Sequence, residues 1–206
     1  MIVSTYIGSG DVAAMMAGKD TKAYLHLMQR FVSDEIPYRN AKESPIDALR
    51  TGAILEDRFY QVLGDDWSVQ YFVQAKGMDV FKATLDFAKL EAGEVVDFIE
   101  LKTLQFNDYL NFIEPIKNDN EALLEYLRKK HKNYYNQVQE QLYCTGLEKA
   151  HLCFLCVTSY NDEENYNREI QPNEYTILEV ERDKEAIEKI LERGTIFQQI
   201  KDNFNK

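Results

Sequence analysis

Residues 98–103 read FIELKT and place Glu100 and Lys102 in a stretch with the apolar composition of a buried strand. Because side chains alternate between the two faces of a strand, Glu100 and Lys102 share one face, and Ile99 and Leu101 share the other. Burying two charges costs several kcal/mol per ion unless they are paired or bind a metal ion. The pattern also fits an edge strand with one solvated face and a weak ion pair. What the pair does therefore depends on which other side chains the fold brings to it.

The chain of 206 residues is 45% hydrophobic and predicts a single domain, residues 1–206, because no flexible linker and no internal repeat divides it. No apolar run is long enough to span a membrane, and the N-terminus lacks a signal-peptide pattern. The three cysteines suit a reducing compartment and are too few for a four-cysteine zinc site or iron–sulfur cluster. We therefore expect a soluble intracellular protein.

The formal net charge of -11 argues against a broad nonspecific attraction to nucleic acid. It does not exclude a locally basic groove. The densest basic run is RKKHK, residues 128–132, which fits either a solvated helix face or a set of phosphate contacts.

The order of the predicted elements indicates the fold class. Residues 46–63 have apolar side chains at helical spacing, and Glu56 lies among them. Three strand patterns follow, then helices over residues 105–130 and 132–145, two further strands and a final helix from about Lys184. This order predicts an α/β or α+β core with a central mixed sheet flanked by helices.

A second carboxylate is expected beside FIELKT. Asp86 lies on the preceding strand, and the intervening turn returns the chain antiparallel, so Asp86 can face Glu100 and Lys102. Two converging carboxylates repel each other unless a divalent cation lies between them, and oxygen ligands suit Mg²⁺ or Mn²⁺. Glu56, projecting from the preceding helix, could complete the site. Such a metal can activate a water and neutralise charge on a scissile phosphate, while Lys102 orients or deprotonates that water.

Four short motifs in this order resemble those of the PD-(D/E)XK nucleases, and most closely the phage lambda exonuclease type of viral recombinase. They are TGAILE ending at Glu56, LD at residues 85–86, ELK at residues 100–102 and YYNQVQ from Tyr134. The resemblance covers nearly the whole chain and implies a restriction-endonuclease-like nuclease core. Leu85 stands where the family name has proline, and the connection from Asp86 to Glu100 is longer than expected for this branch.

The resemblance also implies roles for the site residues. Asp86, Glu100 and the main-chain carbonyl of Leu101 would bind the metal, Lys102 would position the attacking water, and Glu56 would act through a second metal or a water.

Further residues would contact the DNA. Gln137, a catalytic candidate, and Thr84 would lie near the 5′ phosphate, and Tyr134 shares the polar face of the Gln137 helix. No arginine of the kind that holds the 5′ phosphate in some relatives lies near the N-terminus. Residues 9–11 predict a serine or aspartate N-cap for the first helix, and Ser9 is the substitute candidate for holding this phosphate. The resemblance also implies a ring of subunits with a central DNA channel, and Lys129, Lys130 and Lys132 would give that channel its positive charge.

The implied activity is that of a metal-dependent exonuclease of phage or prophage recombination, degrading one strand of linear double-stranded DNA from the 5′ end. A homotrimeric ring, a single-strand annealing recombinase as partner and the cytoplasm of a bacterial or phage-infected cell are expected with it. The alternatives are a DNA-repair or CRISPR-associated nuclease, although the latter usually carries four clustered cysteines, and an inert member that only binds DNA or a protein. Inert members normally lose a carboxylate or the lysine, and Asp86, Glu100 and Lys102 are all present.

Overall fold

The computed structural model describes residues 5–33, 47–160 and 162–204. Within these ranges the chain forms a six-stranded mixed sheet flanked by helices, which confirms the predicted α/β class. The strands are β1 (Ile7–Gly8), β2 (Trp67–Gln74), β3 (Phe81–Glu91), β4 (Glu94–Gln105), β5 (Lys149–Val157) and β6 (Tyr175–Glu181). The helices are α1 (Val12–Met16), α2 (Lys22–Ser33), α3 (Asp47–Leu63), α4 (Phe106–Asp108), α5 (Asn120–Lys130), α6 (Lys132–Thr145), α7 (Glu164–Asn167) and α8 (Lys184–Phe204).

Local chemistry accounts for several helix ends. Helix α6 ends at Gly146, as expected, and this glycine has φ 79°, a left-handed conformation that glycine adopts without a steric penalty. The helix expected over residues 105–130 is broken into shorter pieces. Pro115 lies in a 3-10 turn between α4 and α5 and has no N–H to continue a helix. Helix α5 then starts anew, with the Asp119 side chain accepting a hydrogen bond from the Ala122 N–H at 3.1 Å.

The sheet opens along one edge of β3. On the other edge, β2 pairs with β3 along most of its length. On the open edge, β4 pairs with β3 as far as Phe87 and Ile99, whereas β1 pairs with Phe81 and Lys82. Residues 83–86 therefore have no strand partner on this edge among the described residues. We call this opening the β3 gap.

Different helices cover the two faces of the sheet. Ile99 and Leu101 pack with Leu55 and Phe59 of α3. Helices α6 and α8 cover the opposite face. The predicted alternation in FIELKT is confirmed, and it turns the charged side chains of this strand toward α6.

Strand β4 is an internal strand, paired antiparallel with β3 and parallel with β5. The hypothesis that FIELKT is a half-solvated edge strand is therefore wrong. None of the helices described combines the length and apolar composition needed to cross a membrane.

Candidate active site

Asp86 lies at the point where β3 and β4 separate. Its side chain is buried, and its Oδ2 accepts a hydrogen bond from the Leu101 main-chain N–H at 2.8 Å. The N–H and C=O of one strand residue point to the same edge, so the Leu101 carbonyl is directed toward the β3 gap as well. The first carboxylate is thus joined directly to the strand that carries the second.

Glu100 is surrounded by donors. The residue is 1% exposed, and its Oε1 accepts from the Lys102 ammonium at 2.5 Å and from the Gln137 amide. Its Oε2 accepts from the Gln141 amide at 2.5 Å. Gln141 also donates to the main-chain carbonyl of Thr84 at 3.2 Å, so it joins β3 to β4 across the gap. The buried charges of FIELKT are therefore paired and hydrogen-bonded.

Lys102 is held as an ammonium. Burial lowers the pKa of Lys102, but the charges of Glu100 and Asp86 outweigh burial and raise it overall. Its side chain is 19% exposed, and its Nζ lies 5.4 Å from the centre of the Tyr134 ring. Lys102 thus lies between the carboxylates and the aromatic ring of α6.

Glu56 reaches the same cluster from α3. Its Oε2 accepts from the Gln70 amide at 2.5 Å, and the same amide nitrogen lies 3.4 Å from Asp86 Oδ1. Burial and then the charge of Glu100 raise the pKa of Glu56 to about 7. Burial, followed by the charges of Glu100 and Glu56, raises the pKa of Asp86 well above its usual range. The positive charge of Lys102 lowers the pKa of both carboxylates but does not offset burial and the neighbouring negative charges.

This donor set fits a hard divalent cation. Asp86, Glu100 and the Leu101 carbonyl offer oxygen ligands only, which Mg²⁺ and Mn²⁺ prefer, and the raised carboxylate pKa values indicate an uncompensated negative charge that a cation would neutralise. Within the described residues, no three acidic, histidine or cysteine side chains are grouped closely enough to hold a metal by themselves. A site of two carboxylates and one main-chain carbonyl does not need a third such side chain, because Mg²⁺ usually keeps several waters.

Several DNA-binding candidates lie near this cluster. Gln137 contacts Glu100, and Tyr134 faces Lys102. The Tyr134 ring also stacks on His131, with ring centres 5.1 Å apart. Thr84 lies at the β3 gap, two residues before Asp86.

A cavity of about 260 Å³ lies at the junction of α5 and α6 and is lined by residues 129–134. Lys129, Lys130 and Lys132 are exposed at this junction, and the Lys129 ammonium pairs with Glu125. Because Tyr134 borders both this cavity and Lys102, the basic run is adjacent to the carboxylate cluster.

Of the serine and the aspartate expected as the N-cap of the first helix, the structure has the aspartate, Asp11, at that position, and the expectation for Ser9 is wrong. Ser9 begins a 3-10 turn, and Asp11 is the residue that precedes α1. Asp11 accepts from the Gly8 N–H at 3.1 Å and pairs with Arg30 at 2.7 Å, so the turn is organised around Asp11. Ser9 is only 6% exposed, and its hydroxyl lies beside the buried Glu140 carboxyl of α6. A role for Ser9 in phosphate binding stays a prediction that no described contact supports.

The sequence predicted that Gln141 shares the polar face of Gln137 but gave it no role at the carboxylates, and it did not indicate Gln70 at all. Gln141 lies one helical turn after Gln137, so the spacing of four residues already placed both amides on one face. Gln70 gave no such signal. It contacts the cluster through an unusual backbone conformation in β2, with φ 50°.

The fold is shared with solved exonuclease structures. LHK-Exo in complex with dAMP has a TM-score of 0.59 and 18% identity to this chain, covering 96% of this chain and 88% of that one. The alkaline exonuclease LHK-Exo from Laribacter hongkongensis gives 0.58 and 16%, with coverages of 96% and 88%. A phage-related exonuclease from Haemophilus somnus 129PT gives 0.56 and 13%, with coverages of 97% and 94%.

No protein-family model matches the chain, and a search of curated proteins gives no match. At these identities the structural likeness shows the fold. This chain has the α/β fold of the alkaline and phage-related exonucleases, as its resemblance to the lambda exonuclease type implied.

Proposed function

We propose that this chain, which has the fold of the alkaline and phage-related exonucleases, is a metal-dependent exonuclease that hydrolyses one strand of linear double-stranded DNA from the 5′ end. The observation that carries the proposal is the buried Glu100–Lys102 pair beside Asp86 at the β3 gap. Apolar side chains of similar volume are often at least as stable as a buried ion pair. The presence of two buried carboxyl groups and a partly buried ammonium at an opening in the sheet therefore favours a chemical role.

The metal would be Mg²⁺ or Mn²⁺, held by Asp86, Glu100 and the Leu101 carbonyl. When bound, such an ion activates a water and neutralises charge that develops on the scissile phosphate. Its affinity would depend on pH, because carboxylates bind a metal only when deprotonated.

The protein side chains would position the reacting groups. Lys102 carries three N–H donors, one of which is engaged by Glu100, so it can orient a water or a phosphate oxygen while it remains charged. Gln137 and Gln141 fix the Glu100 carboxylate from α6. Glu56, whose carboxylate shares the Gln70 amide with Asp86, would act through a second metal or a water.

DNA as substrate is supported by the basic cavity next to the cluster and by the solved neighbours. LHK-Exo was crystallised with dAMP, a deoxynucleoside monophosphate of the kind that exonucleases release. In this chain, Tyr134 and the lysines at residues 129, 130 and 132 would contact the DNA backbone. Thr84 and Gln137 would lie near the 5′ phosphate, with Ser9 as the least supported contact.

The assembly and the biological setting follow from the family resemblance. A net charge of -11 gives the chain little long-range attraction to DNA, so a ring of three subunits that encloses the duplex would keep the enzyme on its substrate. A single-strand annealing recombinase as partner, phage or prophage recombination and the cytoplasm complete the proposal. Light scattering at micromolar concentration tests the assembly, with a mass of three chains expected and a monomer contradicting it.

The proposed activity is tested by incubation with end-labelled linear duplexes and with closed circular duplexes, each with Mg²⁺ and with a chelator. We expect release of mononucleotides from linear DNA only, and only with the metal. Cleavage of the closed circle would indicate an endonuclease, such as a DNA-repair or CRISPR-associated relative. Binding of DNA without cleavage under any metal condition would indicate an inert member of the fold.

A further inference from the structure

Gln70 has a strained backbone at the position that faces Asp86. Val69 pairs with Phe87 and Tyr71 pairs with Leu85, so the register places Gln70 opposite Asp86. At Gln70 itself the ladder is interrupted, and φ is 50°. Residues other than glycine rarely adopt such a conformation, and strain of this kind often marks a functional site.

The strained backbone places the Gln70 amide between two carboxylates. Its Nε2 lies 2.5 Å from Glu56 Oε2 and 3.4 Å from Asp86 Oδ1. The other oxygen of Asp86 is engaged by the Leu101 N–H. Within the described ranges, no other side chain donates to Glu56. The amide nitrogen is therefore the group that separates the two carboxylates.

An amide NH₂ group is a weak substitute for a cation. It offers two N–H donors and only partial positive charge, whereas two neighbouring carboxylates are stabilised far more by a divalent ion. Gln70 is exposed to solvent, so its side chain can turn outward without disturbing the core.

We propose that the Gln70 amide occupies the position that a cation shared by Glu56 and Asp86 would take, and must turn away before such a cation binds. Gln70 then sets the metal affinity of this position, by stabilising the metal-free arrangement of the two carboxylates. The inference rests on the proposed metal-dependent function and assigns Gln70 as a positioning residue for Glu56.

Titration calorimetry with Mn²⁺, in the absence of DNA, measures this effect directly. Gln70→Ala and Gln70→Gly both remove the amide, and glycine also tolerates the left-handed backbone, so agreement between them separates the amide from the strain. We expect both variants to bind Mn²⁺ about fivefold more tightly, the equivalent of one net hydrogen bond lost from the metal-free state.

Two controls identify the source of the expected increase in Mn²⁺ affinity. Gln74→Ala removes a glutamine of the same strand whose amide donates only to the main-chain carbonyls of Asp79 and Phe81, and its Mn²⁺ affinity should equal that of the parent. In a Glu56→Ala background, Gln70→Ala should no longer change the affinity, because the second carboxylate is absent.

Unchanged affinity in the Gln70 variants would overturn the inference, and so would a gain that persists in the Glu56→Ala background. Weaker binding would overturn it in favour of a Gln70 Oε1 ligand. Each of these results leaves the metal-dependent function in place, because the parent binds Mn²⁺. Absence of Mn²⁺ binding in the parent and the Gln70 variants would overturn both proposals.

Discussion

The Asp86 carboxylate accepts a hydrogen bond from the Leu101 main-chain N–H at 2.8 Å, just beyond the last ladder pair between β3 and β4. Where the two strands separate, the Asp86 side chain therefore accepts the kind of hydrogen bond that a main-chain carbonyl accepts within the ladder. This contact holds the β3 gap at a defined width and orients the second oxygen of Asp86 toward Glu56 and Gln70. Asp86 therefore has a structural role as well as its proposed role as a metal ligand.

The two roles of Asp86 can be separated by Asp86→Asn and Asp86→Ala. Asparagine keeps an acceptor for Leu101, so the alanine variant should be less stable than the asparagine variant by about 1–2 kcal/mol, the free energy of leaving a buried donor unpaired. Because burial and the neighbouring carboxylates raise the pKa of Asp86 in the folded state, the parent loses stability as pH rises from the ordinary carboxyl pKa toward that raised pKa. In metal-free urea unfolding, the stability of the asparagine variant relative to the parent should therefore increase as pH rises above about 4, and neither variant should hydrolyse DNA. Equal stability of the two variants would contradict the structural role.

Lys102→Met should abolish hydrolysis while leaving a folded protein. The substitution removes the donor that positions the water or phosphate oxygen, and losses of about 10²–10⁴-fold are typical for such groups. Gln137 and Gln141 still donate to Glu100 in this variant. Lys149→Met is the matched control, because the Lys149 ammonium forms an exposed pair with Glu179. Hydrolysis rates on an end-labelled duplex test this, and full activity of Lys102→Met would remove its catalytic assignment.

Glu140 of α6, which lies outside the carboxylate cluster, should make the stability of the metal-free protein depend on pH. Burial raises the pKa of Glu140 to about 7, opposed by the hydrogen bond from the Cys144 thiol and by the nearby Ser9 hydroxyl. The unfolded chain releases this proton near pH 4.5, so the parent should lose stability as pH rises from about 4.5 to 7, by at most about 3 kcal/mol. Glu140→Gln cannot ionise and should be more stable than the parent at pH 8 but similar at pH 4.5.

Urea unfolding at the two pH values measures the difference for Glu140→Gln. The exposed Glu188→Gln on α8 is the control, and it should change stability little at either pH. A Glu140→Gln variant that is less stable than the parent at pH 8 would show that the charged form of Glu140 is needed for folding.

The lysines at the α5–α6 junction should govern the salt dependence of DNA binding. Replacing Lys129, Lys130 and Lys132 together by alanine should weaken binding and reduce the slope of log K against log salt by up to about 2–3 units, since each phosphate contact contributes about 0.9. A variant with Lys149, Lys184 and Lys189 replaced has the same charge change at exposed positions elsewhere. Equal slopes for the two variants would mean that the cavity does not contact the DNA backbone.

The 5′ end should influence the rate. A duplex with a 5′ phosphate should be degraded faster than one with a 5′ hydroxyl, and Gln137→Ala should reduce that ratio, because its amide lies at the Glu100 carboxylate beside the proposed phosphate position. Comparing the two ends within each variant cancels any general loss of activity. Equal rates on both duplexes in the parent would exclude 5′ phosphate recognition.

Local sequence determined the parts of this protein that depend on near neighbours along the chain. The alternation in FIELKT placed Glu100 and Lys102 on one face, and helical spacing placed Gln137 on the polar face of α6. The end of α6 at Gly146 and the order of helices and strands along the chain were also predicted from such local patterns. The order of the motifs that resemble those of the PD-(D/E)XK nucleases was enough to predict the fold that the solved exonucleases share.

The contacts among these residues, by contrast, depend on the tertiary structure. The register of β2 on β3 and the early end of the β3–β4 ladder bring Gln70 to Asp86 and open the β3 gap. Asp11 pairs with Arg30, 19 residues away, and Ser9 is buried in the turn before α1 instead of capping this helix. These outcomes depend on contacts between residues distant in sequence, whose free energies compete across the whole fold, and a local pattern cannot rank them.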